Sequence, residues 1–221
     1  MEQKRRQFIR VLLGALSATA LGLNPLFTLI RHAYANAKRM ILPQGTRMET
    51  LVSKNPGTLD TRNLEVTPVE EFGTMGETDY EPDMDRWRLH VTGRVKNPLE
   101  LSYSEIKELP VVRRKVLLIC PGFFALHGDW KGISMARLLQ RAGVEDGATH
   151  VAFSGPERTL NKVERFPLEE VLEEKVFLAY GVNGETLPKK HGFPLRLVAE
   201  DHYGDQWVKY VYKMSVEGPG E

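Results

Sequence analysis

The chain has 221 residues, of which 42% are hydrophobic and 27% charged, a composition typical of a globular protein with one well-buried domain. Five of the 30 basic residues and one of the 29 acidic residues lie before residue 36, so the remainder carries a net charge of −3 and lacks the basic surface of a nucleic-acid-binding protein. A single cysteine, Cys120, excludes an internal disulfide, a protein-bound iron–sulfur cluster and covalent haem attachment.

The first thirty-five residues have the pattern of an export signal. Lys4-Arg5-Arg6-Gln7-Phe8-Ile9-Arg10 precedes 20 uncharged residues, 11–30, and paired arginines before an apolar run predict a twin-arginine signal. Ala33-Tyr34-Ala35 is a small-x-small cleavage site, although the apolar run is also long enough to span a bilayer. We therefore expect residues 1–35 to direct a folded protein to the periplasm and to be removed, with retention as a membrane anchor as the alternative. A folded-protein route is needed chiefly when a cofactor is inserted before export, so the signal indirectly indicates one.

Residues 36–85 are punctuated by proline and glycine and have no long apolar period, which predicts an extended arm wrapped around the rest of the chain. Phe72, Met75 and Tyr80 are the side chains expected to anchor this arm. The remaining residues, 86–221, form the predicted body of the protein.

The body alternates short strands with two or three short helices. In chain order the pattern predicts a strand at 87–95, a helix capped by Ser102, a strand at 111–120, a loop at 121–132, a helix capped by Ser134, a strand at 150–153, a helix at 166–174, and strands at 176–182, 186–188, 194–199 and 207–216. Asn183-Gly184 between two of these strands is a type I′ hairpin signal. This mixture predicts an α+β fold.

Cys120 is the first candidate for chemistry. It ends the predicted strand 111–120, whose last residues are continuously apolar, and precedes a stretch rich in glycine, proline and aromatic residues. A lone cysteine is usually a small buried core residue. The end of a buried strand would instead place the sulfur at the rim of a cavity, where a thiolate can ligate a soft, redox-active metal.

Arg196 and Lys209 are the second candidate. Arg196 lies inside an apolar strand and Lys209 lies near the start of the next one. A buried guanidinium needs a partner, and a phosphate suits its planar fork. An internal carboxylate such as Glu200 or Asp201 suits it equally well, and the spacing alone does not decide between them.

Taken together, residues 69–216 resemble the molybdopterin-binding domain of the sulfite oxidase superfamily, in particular its periplasmic methionine-sulfoxide reductase branch. The ordered set of motifs is far more specific than any one of them. In chain order the set comprises Glu71-Phe72-Gly73, Cys120, Trp130-Lys131-Gly132, Val151-Ala152-Phe153, Asn183-Gly184, His191-Gly192-Phe193-Pro194-Leu195-Arg196, Tyr203-Gly204 and Val208-Lys209.

The resemblance implies a mixed, barrel-like β-sheet fold with short helices, residues 86–221 being the molybdopterin-binding oxidoreductase domain. It implies a molybdenum–molybdopterin cofactor whose metal is ligated by Cys120, which is then the catalytic residue. The residues implied to hold the phosphate and ring edge of the pterin are His191, Arg196 and Lys209, with further backbone contacts from Glu71, Trp207 and Val208.

The sequence after Cys120 favours a reductase. In true sulfite oxidases of this superfamily an arginine-bearing sequence follows the cysteine and makes an anion pocket, whereas here the residues at 121–126 are apolar and uncharged. An uncharged wall disfavours sulfite and suits a neutral S-oxide or N-oxide. We therefore expect oxygen-atom transfer from such a small-molecule oxide, with sulfite oxidation as the alternative. His127 and Asp129 are candidate proton donors, although ordinary loop polarity explains them equally well.

The chain offers no ligands for an electron carrier of its own, so the resemblance implies an electron-transfer partner, either a membrane subunit with b-type haem or a soluble cytochrome. Two rival interpretations stay open. Departures from the family pattern at Thr67, Glu70 and Gly155 fit a domain that has lost its cofactor and serves as a periplasmic binding or scaffold module. A thiol peroxidase-type enzyme would need a lowered pKa at Cys120, for which the cations at 113–115 are candidates.

Overall fold

The computed structural model describes residues 39–156 and 162–220, so the predicted export signal at 1–35 lies outside the described residues. From Ile41 onward the chain forms one compact unit. Within the described ranges, no helix has the length and apolar character needed to cross a membrane.

The described elements are mostly strands. In chain order the strands are β1 (Met40–Ile41), β2 (Leu59–Asp60), β3 (Leu89–Gly93), β4 (Leu99–Leu101), β5 (Val111–Cys120), β6 (Phe124–Ile133), β7 (His150–Ser154), β8 (Val163–Pro167), β9 (Val176–Val182), β10 (Glu185–Thr186), β11 (Arg196–Ala199) and β12 (Lys213–Glu217). The α-helices are α1 (Tyr103–Glu108), α2 (Met135–Ala142) and α3 (Leu168–Leu172). This is the α+β architecture that the sequence predicts.

Two five-stranded sheets build the body. One has the order β10-β9-β6-β5, with β11 also pairing with β9. The other has the order β4-β3-β12-β7-β8, in which β12 runs parallel to β3 and antiparallel to β7. The apolar faces of both sheets contribute to one continuous core, so the sheets and short helices enclose a single hydrophobic interior.

Local sequence signals account for the helix ends. Ser102 accepts from the Glu105 N–H while the Glu105 side chain accepts from the Ser102 N–H, which completes a capping box at α1. Ser134 caps α2 through the Arg137 N–H, and Gly143 ends that helix in the left-handed conformation with φ 70°. These three ends match the predicted ones.

Three predicted elements are wrong, each for a local reason. Most of the predicted loop at 121–132 is strand β6, which begins at Phe124 and pairs along its whole length with β5. The glycines of β6 interrupt the strand pattern in the sequence. Gly132 is required, because a Cβ there would lie 2.1 Å from the Leu178 carbonyl oxygen. The predicted helix at 166–174 is the end of β8 followed by α3, because Pro167 stands at the helix cap. The predicted strand at 207–216 becomes β12 only from Lys213.

The arm is fixed by its own small apolar cluster. Leu42, Leu51, Leu59 and Leu64 pack with Leu117 and Ile119, two alternate residues of β5. Phe72 is buried against the Trp130 ring, with centroids 6.1 Å apart, and Tyr80 contacts the Tyr210 ring at 5.0 Å. The opposite face of β5, which includes Leu118 and Cys120, belongs to the main core. The arm therefore covers one face of β5, and the main core covers the other.

Candidate active site

One cavity of about 550 Å³ is lined by Cys120 and by four separate stretches of chain. These stretches are the arm at 73–77, the turn after β5, the described residues Gly155, Pro156 and Lys162, and the late segment 204–210. The predicted site residues among its lining are Cys120, Arg196, Trp207, Val208 and Lys209. Glu71 and His191 are not part of the lining, so the structure brings together five of the seven predicted residues.

Cys120 is the last residue of β5, opposite Phe124 of β6. Its side chain is 9% exposed, and its Sγ lies 3.2 Å from the Sδ of Met75. Burial raises the pKa of the Cys120 thiol, and the negative charge of Asp205 raises it further. A thiol peroxidase-type enzyme needs the opposite shift, so that rival interpretation is contradicted.

Arg113 and Arg114, two of the three cations near Cys120 in sequence, are paired elsewhere, and the third, Lys115, does not line the cavity. Arg113 donates two hydrogen bonds to one carboxylate oxygen of Asp129 and a third to the other, at 2.7 to 3.0 Å. Arg114 forms an ion pair with Glu200 at 2.8 Å. Neither residue lines the cavity.

Arg196 is a buried cation without a carboxylate partner among the described residues. It is 6% exposed; its Nη1 donates to the His191 carbonyl at 2.9 Å, and its Nε has no hydrogen-bond partner within the described chain. The guanidinium carbon lies 5.8 Å from the Trp130 ring centroid and 5.7 Å from that of Trp207. Burial lowers the pKa of Arg196 to about 10. Of the two partners left open by the sequence, the internal carboxylate is therefore excluded.

Lys209 is satisfied only by neutral oxygens. Its Nζ donates to Thr74 Oγ1 at 2.7 Å, to the Glu77 carbonyl at 2.8 Å and to the Lys190 carbonyl at 3.0 Å. Burial, and then repulsion from Arg196, lower the pKa of Lys209 to about 8. Within ranges 39–156 and 162–220, neither cation forms an ion pair with a carboxylate, although the charge of Glu77 acts on Lys209. Two cations that repel each other in this way fit the phosphate group of a pterin cofactor.

The strap, residues 73–77 of the arm, is held across the cavity by this lysine. Lys209 bonds to both Thr74 and Glu77, and the Tyr210 hydroxyl also donates to the Glu77 carbonyl at 3.2 Å. Gly73 permits the close approach, because a Cβ there would lie 2.4 Å from the Phe124 ring. The strap thereby places Met75 in contact with the sulfur of Cys120.

His191 supports Arg196 from outside the cavity lining. Its ring packs edge-on against Phe72 with centroids 5.6 Å apart, and its carbonyl accepts from Arg196. Burial, followed by repulsion from Arg196, lowers the pKa of His191 to about 4, so the ring is neutral at neutral pH. The predicted contact of His191 with the cofactor stays a prediction; its ring Nε2 is buried and has no hydrogen-bond partner among the described residues. Glu71 is exposed and likewise lies outside the lining.

His127 and Asp129 are not proton donors to this cavity. Both lie on β6, and neither lines the cavity. The His127 side chain is buried against the arm, with Nδ1 3.2 Å from the Glu65 carbonyl oxygen, and Asp129 is occupied by Arg113. The prediction failed because it took 121–132 for a flexible loop, whereas the strand carries these side chains away from the thiol.

Sequence reasoning did not place Met75, Lys162 or Asp205 at the site, although all three line the cavity. Met75 was expected to anchor the arm, yet it is 48% exposed and contacts Cys120. Only the position of Asp205 directly after the Tyr203-Gly204 motif could have pointed to it, and nothing in the local sequence distinguishes Lys162.

Comparison with known proteins places these features in a family. The family model for the oxidoreductase molybdopterin-binding domain matches residues 75–218. The chain is 32% identical to the uncharacterized oxidoreductase YuiH of Bacillus subtilis, over 66% of this chain and 74% of YuiH. It is 30% identical to the protein-methionine-sulfoxide reductase catalytic subunit MsrP of Gluconobacter oxydans, over 69% of this chain and 58% of MsrP.

A solved structure with a similar fold is the sulfane dehydrogenase SoxCD from Paracoccus pantotrophus, with a TM-score of 0.59 and 23% identity. The match covers 84% of this chain and 52% of the SoxCD chain, so this chain spans little more than half of MsrP and of SoxCD. The family match over most of the body, together with the cavity around Cys120, leads to one conclusion: the chain belongs to the molybdopterin-binding oxidoreductase family that includes the sulfite oxidases, and it is an enzyme of that class.

Proposed function

We propose that this enzyme works in the periplasm with a molybdenum–molybdopterin cofactor and reduces a neutral S-oxide or N-oxide by oxygen-atom transfer. The observation that carries the proposal is a single cavity lined by the Cys120 thiol and by two cations, Arg196 and Lys209, that have only neutral acceptors. Arg196 and Lys209 would hold the phosphate of the cofactor, and Cys120 would ligate the metal. When bound, the cofactor supplies the two-electron oxygen-transfer chemistry.

The protein contributes shape and dielectric around the reacting atoms. Phe123 and Phe124 follow the thiol in the turn and line the cavity, as does Met75. These apolar side chains give an oxyanion such as sulfite no donor, and an unpaired charge against an apolar wall is costly. The wall therefore favours a neutral oxide over sulfite. The relative MsrP is a protein-methionine-sulfoxide reductase catalytic subunit, which supports the same substrate class.

Export and electron supply complete the proposal. The paired arginines at Arg5 and Arg6 and the apolar run after them support transport of the folded protein, with residues 1–35 removed or kept as an anchor. The arm at 36–85 and the domain at 86–221 would make up the exported enzyme. Electrons would come from a partner, either a membrane subunit with b-type haem or a soluble cytochrome.

Two of the three positions that motivated the cofactor-free scaffold interpretation lie outside the cavity lining, whereas the third, Gly155, is part of it. Thr67 lies outside the cavity lining, where its hydroxyl accepts from the His127 N–H at 3.0 Å and its carbonyl accepts from Asn183 at 2.8 Å. Glu70 is exposed and also outside the lining. Departures at these two positions therefore alter contacts between arm and body and leave the cavity unchanged.

Elemental analysis and pterin extraction test the cofactor. Wild-type protein expressed with molybdate should contain close to one molybdenum per chain, and Cys120→Ser should lose most of the metal. Single-turnover mixing then tests direction: the dithionite-reduced enzyme should be reoxidised by dimethyl sulfoxide, and the oxidised enzyme should not be reduced by sulfite. Rapid reduction by sulfite would reverse the proposed direction, and wild-type protein without molybdenum would favour the scaffold.

A further inference from the structure

Asp205 brings a negative charge to the cavity wall that holds Cys120. It is exposed and lines the cavity, in the short turn Gly204–Gln206. That turn is seated directly on β5, since a Cβ added at Gly204 would lie 2.6 Å from the Leu118 side chain and 3.2 Å from the Ile119 carbonyl oxygen. The residue after Ile119 is Cys120, so the turn presents its carboxylate beside the reactive end of the strand.

The described lining contains four other charged residues, Glu77, Lys162, Arg196 and Lys209. The negative charge of Glu77 acts on Lys209, where it opposes the lowering of the lysine pKa. Lys162 lies 3.6 Å from the Glu164 carboxylate, and Arg196 and Lys209 would be neutralised by the cofactor phosphate under the proposed function. Asp205 has no hydrogen-bond or ion-pair partner within ranges 39–156 and 162–220 of the chain. Asp205 and Cys120 line the same cavity, so the carboxylate acts on any charged molecule that approaches the sulfur.

We propose that Asp205 is a specificity-determining residue whose carboxylate repels anionic substrates from the sulfur of Cys120 and favours neutral or cationic oxides. The apolar wall disfavours any charged substrate, whatever its sign. The carboxylate of Asp205 disfavours anionic substrates in particular. The statement about substrates rests on the proposed function; the statement about charge at the sulfur does not.

The charge can be measured without any cofactor, because Cys120 is the single cysteine of the chain. Iodoacetamide and iodoacetate alkylate a thiolate in the same way and differ in one negative charge. The ratio of their rates at one pH cancels the fraction of thiolate and reports the local potential alone. In cofactor-free protein, Asp205→Asn should raise the iodoacetate-to-iodoacetamide ratio about two- to fivefold at low salt, and by less at 1 M salt, where an exposed charge is screened.

Asp146→Asn is the matched control, because Asp146 is an exposed aspartate outside the cavity lining and the substitution removes the same charge. It should leave the ratio unchanged. An Asp205→Asn ratio equal to that of Asp146→Asn would overturn the inference, whatever the enzyme reduces.

Loaded enzyme extends the test to substrates of equal size. Methylsulfinylacetamide is neutral and methylsulfinylacetate is its anionic counterpart. Wild type should prefer the amide in kcat/KM, and Asp205→Asn should narrow that preference by about the factor measured by alkylation. An unchanged preference would overturn the inference. If wild type reduces neither sulfoxide, the proposed function fails, while the alkylation ratio still decides whether Asp205 sets the charge at the sulfur.

Discussion

Arg196→Met should stabilise the cofactor-free protein and abolish cofactor retention. The guanidinium is buried, donates to one neutral carbonyl, and has its pKa lowered by burial to about 10. At about 1.4 kcal/mol for each pKa unit, the folded state keeps this charge at a cost of about 3 kcal/mol. A methionine fills similar space without charge, although the His191 carbonyl then loses its donor, which costs about 1 to 2 kcal/mol.

The net expectation is a gain of about 1 to 2 kcal/mol in the free energy of unfolding of the cofactor-free variant. For a protein of this size that corresponds to a rise in Tm of about 4 °C. Urea titration of cofactor-free wild type and variant measures the free energy directly. Molybdenum content of the same variant, expressed with molybdate, should fall to less than about a tenth of wild type because the anion loses its buried partner.

Arg114→Met is the control for removing an arginine of the same sheet. Arg114 is paired with Glu200 at 2.8 Å and donates to the Glu174 carbonyl at 2.8 Å, so its loss should destabilise the protein by up to about 1 kcal/mol without lowering the molybdenum content. A cofactor-free Arg196→Met protein that is clearly less stable than wild type would refute the argument from desolvation.

Three further predictions concern the surroundings of the cavity. The pKa of His191 is lowered to about 4. As pH falls from 6.5 to 4, this imidazole therefore takes up a proton in the unfolded chain but stays neutral in the folded one. Stability therefore falls over that range, and His191→Asn should flatten the fall by up to one proton in urea titrations. The pKa of Lys209 is lowered to about 8, so wild type should gain stability relative to Lys209→Met as pH rises from 8 to 10.5, measured on cofactor-free protein. Gly204→Ala should lower the free energy of unfolding by about 1 to 3 kcal/mol, because the added Cβ clashes with Leu118. In the control Gly57→Ala the nearest neighbour of the added Cβ is 3.4 Å away, and the loss should be less than about 1 kcal/mol. Equal losses in the two variants would contradict the close packing of the turn.

The sequence correctly predicted those elements that are determined by residues close to one another along the chain. The apolar run before Cys120 correctly placed a buried strand, because residues 116–119 face the interior on both sides of β5. Asn183-Gly184 gave the hairpin, and both residues have the positive φ values, 52° and 87°, that the turn requires. The division into a signal at 1–35, an arm at 36–85 and a domain at 86–221 stays a prediction, and residues 1–35 lie outside the described residues.

Elements decided by tertiary contact escaped the same reasoning. Trp207 to Val211 is apolar and nearly all buried, which reads as a strand, but it pairs with β11 only through scattered bonds such as Leu197 N–H to the Val208 carbonyl. The cavity residues Met75 and Asp205 are exposed side chains in irregular segments. Both residues reach the cavity because their segments pack near the end of β5, which is distant in sequence. A local sequence pattern cannot predict such a contact.

The place of β12 between β3 and β7 governs when the protein can fold. Met214 of β12 pairs with Val91 on one side and with Phe153 on the other. The two hairpins β3–β4 and β7–β8 therefore share no ladder until a strand made more than a hundred residues after β3 has inserted between them. Such distant pairing is slow, and the second sheet cannot be completed before residues 213–217 have been synthesised.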